Sequence, residues 1–106
     1  MYRQGDVIII PVEAFPTNTT EVLRDGGRII LAAGEVTGHH HAIASEGAAL
    51  LAAPNTDDRF LRIMDASGVT LTHEEHAPIV LPAGNYVVRI QREYTSANMP
   101  PIRVAD

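Results

Sequence analysis

Apolar residues along this chain fall in short runs, broken repeatedly by Gly, Pro, Asn and Asp. Turn-forming residues recur before a helical period has room to develop, which marks an all-β chain. The pattern predicts strands at 6–12, 28–33, 39–45, 48–53, 59–65, 69–73, 78–81 and 86–94. The run Val7-Ile8-Ile9-Ile10 is apolar on both faces, so its strand is central or covered. Pro11 cannot donate to a ladder and favours an edge or a bulge. In the last strand Tyr86, Val88 and Ile90 alternate with Val87, Arg89 and Gln91, which predicts one face inward and the other in water. Segment 13–27, with Pro16, Asn18 and Gly26-Gly27, reads as a long loop with one helical turn around 20–24.

About seven or eight such strands do not make one flat open sheet, because free edges invite pairing with other chains. The expected fold is therefore a small all-β domain, a β-barrel or a two-sheet roll, with residues 1–106 forming a single unit. A chain of 106 residues buries about two-thirds of its unfolded surface, enough for one modest core.

Composition then removes several kinds of chemistry. The chain has no cysteine, which excludes thiol catalysis, iron–sulfur clusters, thiolate zinc sites and disulfides. All eight cationic side chains are arginine, so there is no lysine for a Schiff base or a phosphate loop. A net charge of −5 disfavours nucleic acid as a partner. Arg89, Arg92 and Arg103 read as a solvated strand face. No apolar run approaches a membrane span, and the opening Met1-Tyr2-Arg3-Gln4-Gly5-Asp6 lacks the pattern of a signal peptide. The expected location is cytoplasmic, with no membrane partner.

The candidate chemistry lies in five histidines, His39-His40-His41 and the pair His73 and His76. Side chains alternate along a strand, so His39, His41 and Ile43 share one face, and Ile43 marks that face as interior. Imidazoles at i and i+2 stand about 7 Å apart, close enough to approach one ion. His73 continues the parity of Val69 and Leu71 and also looks inward. His76 joins it only if the chain leaves strand geometry after His73, as Glu74-Glu75-His76-Ala77-Pro78 suggests. These residues predict a divalent metal site (zinc, iron or nickel) on His39, His41 and His73, completed by His76 or a carboxylate. Glu75 is the preferred carboxylate by parity, and Glu46 is the alternative. The competing reading is a hydrogen-bonded or pH-responsive histidine network. No serine sits in a nucleophile-elbow pattern, and no phosphate loop is present. Arg92 shares the inward parity of Tyr86 and Val88 and is a candidate anchor for an anionic group.

Two resemblances add to this. The spacing His39-x-His41-x4-Glu46 resembles the first half of the cupin motif, and Pro82-Ala83-Gly84 matches the Pro-x-Gly turn of its second half. That likeness implies a cupin-like barrel with a metal bound by histidines and a glutamate. Most of the chain also resembles a family of short uncharacterised bacterial and phage proteins. The shared features are Gln4-Gly5-Asp6-Val7, Gly34-Glu35-Val36-Thr37-Gly38-His39-x-His41, His73-x-Glu75-His76, Leu81-Pro82-x-Gly84-x-Tyr86 and Gln91-Arg92-Glu93-Tyr94. This likeness implies a common site at His39, His41, His73, Glu75 and His76, and carries no known activity. Two functions are expected to compete: a metal-dependent enzyme or binder of a small-molecule ligand, and a non-catalytic module that forms homo-oligomers or binds a partner. The second rests on the apolar run at 7–10 and the extended tail.

Overall fold

Two antiparallel sheets lie over one core in the computed structural model of the chain, which describes residues 1–33 and 38–91. The described residues contain ten strands and no helix. They are β1 (Tyr2–Gln4), β2 (Val7–Pro11), β3 (Thr20–Glu21), β4 (Ile29–Ala33), β5 (His40–Ile43), β6 (Ala48–Ala52), β7 (Arg59–Ile63), β8 (Val69–Thr72), β9 (Ile79–Leu81) and β10 (Gly84–Ile90). One sheet runs β1-β2-β10-β7-β6-β3 and the other β4-β5-β8-β9. The all-β expectation holds, in the form of two sheets and not of a closed barrel: the two ladders end on separate edge strands, β1 and β3 in one, β4 and β9 in the other.

Alternation explains the core. Val7, Ile9, Leu50, Leu61, Ile63, Tyr86 and Val88 point from the larger sheet toward Ile29, Leu31, Ile43, Val69, Leu71 and Leu81 of the smaller one. The intervening residues of the larger sheet form a second, outer cluster of Leu51, Phe60 and Val87, with Ile10, Val12 and Phe15 packed on it. Phe15 comes from the loop after β2 and meets Phe60 with ring centroids 5.7 Å apart. The guanidinium of Arg62 stands 5.2 Å from the Phe15 ring, a cation–π contact over the same patch. This cover accounts for the run at 7–10. β2 is an interior strand, paired with β1 and β10, and its outer side chains are shielded by the chain itself. Val87 is buried with that cluster, so the outer face of β10 is not simply in water.

Two elements differ from the sequence reading. β1 is added ahead of β2 as the first arm of a hairpin, and the expected helical turn at 20–24 is the two-residue strand β3, paired with β6. Thr20 and Glu21 are exposed and form an edge, where cross-strand hydrogen bonds outweigh a weak local preference for helix. No helix long and apolar enough to cross a membrane occurs among the described residues. Arg92, Tyr94 and Arg103 lie outside the described residues.

Candidate metal centre

The two histidine clusters meet because of strand register. β5 pairs with β8 through Ala42↔Thr72 and Ile43↔Leu71. Continued by one residue, that register sets His41 opposite His73, and their ring centroids are 4.3 Å apart. β8 ends at Thr72, so the chain turns after it and brings the His76 ring to 4.7 Å from His73. His39, just ahead of β5, lies 5.7 Å from His73 by ring centroids. His39, His41, His73 and His76 therefore gather at one end of the smaller sheet.

Among the described residues, His39, His73 and Glu74 form a set of donors that could hold an ion, each offering one atom within 4.8 Å of the others. His39 Nδ1 is buried and has no hydrogen-bond partner. An orphaned buried acceptor or donor costs about 1–3 kcal/mol, so such an atom is a feature to be explained by a ligand or a water. Glu75 Oε2 is 3.8 Å from it. Glu74 accepts the backbone N–H of His40 at 2.9 Å. That bond, aided by the nearby His39 and His73, holds its carboxyl below the usual carboxylate range.

A third element contributes that the histidine pattern does not announce. The β1–β2 hairpin of the larger sheet presents Gln4, Gly5 and Asp6 to the cluster. The Gln4 side chain is buried and has three partners: its amide nitrogen donates to Leu71 O (3.1 Å) and Ala77 O (3.0 Å), and its oxygen faces His41 Nδ1 at 2.8 Å. The two carbonyls fix the orientation of the amide, so the oxygen must accept from His41. His41 therefore carries its proton on Nδ1 and leaves Nε2 bare. Burial pushes the His41 pKa down to about 4, helped by the neighbouring His73, so the ring is neutral at physiological pH. Leu71 and Ala77 bracket residues 72–76, so the same amide ties down both ends of the segment that carries His73, Glu74, Glu75 and His76.

Gly5 sits against the rings. Its φ is +59°, and a Cβ there would lie 2.8 Å from His76 Nε2 and 3.2 Å from His41 Cε1. Asp6 Oδ1 is 3.7 Å from His41 Nε2, and the Asp6 carbonyl accepts the N–H of Gln91 at 2.8 Å. His73 differs from His41 in tautomer. Glu75 N–H donates to His73 Nδ1 at 3.0 Å, which leaves the proton on Nε2 of the neutral ring. Ligation through Nε2 requires that proton to move to Nδ1 and the Glu75 N–H to let go.

Of the residues singled out from sequence, His39, His41, His73 and His76 converge, and Glu75 is near His39. Glu46 does not join them. It is exposed in the turn after Ile43, at the opposite end of β5 from the histidines, because a strand carries residue i+5 away at about 3.3 Å per residue. The cupin arrangement of His39, His41 and Glu46 around one ion is thus not formed. Gln4, Gly5 and Asp6 are not among the sequence candidates. Gln4-Gly5-Asp6 enters the sequence reading only through a resemblance, and Glu74 ranks below Glu75 there because strand parity is carried past the end of β8.

A protein-family model described as a domain of unknown function (DUF8820) matches residues 3–91. No curated protein and no solved structure matches the chain. The matched span begins one residue before Gln4 and ends at Gln91, so it contains every group described in this cluster.

Proposed function

We propose that this chain, which belongs to the DUF8820 family of domains of unknown function, is a metal-binding domain that holds a divalent first-row ion on its histidine cluster. The observation that carries this reading is the set His39, His73 and Glu74, with donor atoms within 4.8 Å of one another. The unpartnered, buried His39 Nδ1 supports it. Nitrogen donors with one carboxylate suit zinc, iron or nickel better than calcium or magnesium, which prefer all-oxygen shells. Three protein ligands leave at least one position for a small molecule, whose polar bonds such an ion polarises. The domain is accordingly read as a binder of, or catalyst for, a small polar molecule.

The test is elemental analysis of untagged full-length chain, purified without chelator or added metal. The expected result is a stoichiometric first-row metal that is lost when His39 and His73 are both changed to alanine. Metal-free protein, even after anaerobic reconstitution with iron and with zinc, sinks the reading and leaves the histidines a hydrogen-bonding role.

A further inference from the structure

The ion just described uses His39, His73 and Glu74 and leaves donors idle on the side of the cluster that faces the β1–β2 hairpin. There His41 Nε2 looks at Asp6 Oδ1 across 3.7 Å. His41 is 1% exposed. Because Gln4 takes the proton on Nδ1, Nε2 is a bare lone pair. Asp6 offers only acceptors when ionised. Two acceptors that face each other at this distance repel unless a cation or a donor lies between them, and the Asp6 side chain, 31% exposed, leaves an ion a way in from solvent. The His76 ring closes the same corner. Its Nε2 and His41 Cε1 both crowd the position that a Gly5 Cβ would take, at 2.8 and 3.2 Å.

We propose that a second divalent cation binds between His41 Nε2 and Asp6, with the exposed His76 ring turning in as a further ligand, so that the cluster is a two-metal centre. The proposal rests on the metal reading above. The spacing suits it: donors 3.7 Å apart fit an ion at about 2.1 Å from each with an angle of about 124°, slightly wider than the trigonal value. The donor set suits it as well. Asp6, Glu74 and Glu75 with His39, His41, His73 and His76 are more groups than a four-coordinate ion accepts. The His41 and His73 rings lie 4.3 Å apart by centroid, which makes the two positions neighbours, as in known two-metal centres. Of the imidazoles, His41 already has its ligand nitrogen free, whereas His73 must first change tautomer. The Asp6 position therefore already has two donors facing each other, and only the exposed His76 ring has to turn.

The experiment is a zinc titration of the chelator-stripped full-length chain, with bound metal counted per chain, alongside Asp6→Asn and Glu74→Gln. Asn keeps the shape of Asp6 and the backbone bond to Gln91. Two ions in the natural chain and one in each variant are expected. With manganese, the electron spin resonance spectrum of the natural chain is expected to show exchange coupling that both variants lose. One ion in the natural chain, whether or not Asp6→Asn removes it, overturns the second position and leaves the metal reading intact. No ion in the natural chain removes both. An uncoupled manganese spectrum at full loading also counts against the pair.

Discussion

At the scale of single residues, Gln4 and His41 form the most constrained pair in the site. A glutamine with all of its amide groups engaged and 3% exposure fixes both the tautomer and the tilt of the imidazole. Outer partners of this kind typically change metal affinity about 10–100-fold when removed. Gln4→Leu is expected to weaken zinc binding by that order in calorimetric titration. In the metal-free natural chain, nitrogen NMR is expected to show His41 protonated on Nδ1, and an Nε2–H resonance there would break the argument. His41 also sets a pH dependence. Its ordinary value is 6.5 and its folded value about 4, so between these the unfolded chain binds a proton that the folded chain refuses. Stability of the metal-free protein should therefore be level above pH 6.5, fall as pH drops toward 4, and level off below, by on the order of 3 kcal/mol. Urea unfolding across this range checks it, and His41→Gln should flatten the slope. The Glu74 carboxyl has a lowered pKa, so its contribution is present above its ordinary 4.5 and is lost only at lower pH. That separates the two effects.

At the scale of elements, the site depends on a hairpin of one sheet meeting two strand ends of the other. The Gly5 turn is what lets them meet. Gly5 and Gly26 share nearly the same left-handed backbone, φ +59° and +61°, but nothing lies within 4 Å of a Cβ added at Gly26. Alanine at either position carries the same conformational cost of about 1–2 kcal/mol. At Gly5 it also meets His76 Nε2, the end of an exposed side chain that can swing aside, and the His41 ring, which Gln4 holds in place. The two variants should thus lose comparable stability in urea, with Gly5→Ala losing slightly more. Zinc affinity should fall sharply in Gly5→Ala alone. Equal affinity in both would show that the hairpin does not shape the site.

At the scale of the whole molecule, one core supports the site and a smaller outer cluster shields the larger sheet. Leu61 on β7 is fully buried in that core, and Leu61→Ala should cost about 2–5 kcal/mol. Phe15 only covers the outer patch and is half-buried, so Phe15→Ala should cost less than Leu61→Ala in the same assay. Metal should act on this scale too, because donors from both sheets and their loops come together only in the folded chain. Zinc at about a hundredfold excess over Kd adds about 2.7 kcal/mol, which for a domain of this size raises Tm by on the order of 10 °C. Thermal melts with zinc and with chelator measure that difference, and coincident melts would mean that no ion is bound.

The amino-acid sequence by itself determined the strands and much of the chemistry. Alternation and turn residues set β2 and the strands from β4 through β10 to within a few residues, because those signals are local. Parity along β5 and β8 turned His41 and His73 inward before any partner strand was known. The absence of cysteine and lysine narrowed the candidate donors to imidazole and carboxylate. Parity lapses past Thr72, where the ladder ends and side-chain direction no longer alternates, so it gives no ground for ranking Glu75 above Glu74. Glu46 was attractive only as a spacing, and a straight strand carries it away from the ion that the spacing suggested. What the tertiary structure alone decided was long-range pairing. The register of β5 on β8 set the two histidine clusters face to face. The β1–β2 hairpin brought Gln4, Gly5 and Asp6 from the other sheet onto rings more than thirty positions away in the chain. Such contacts come from packing two sheets on one core, and no local pattern encodes which turn will cover which strand end.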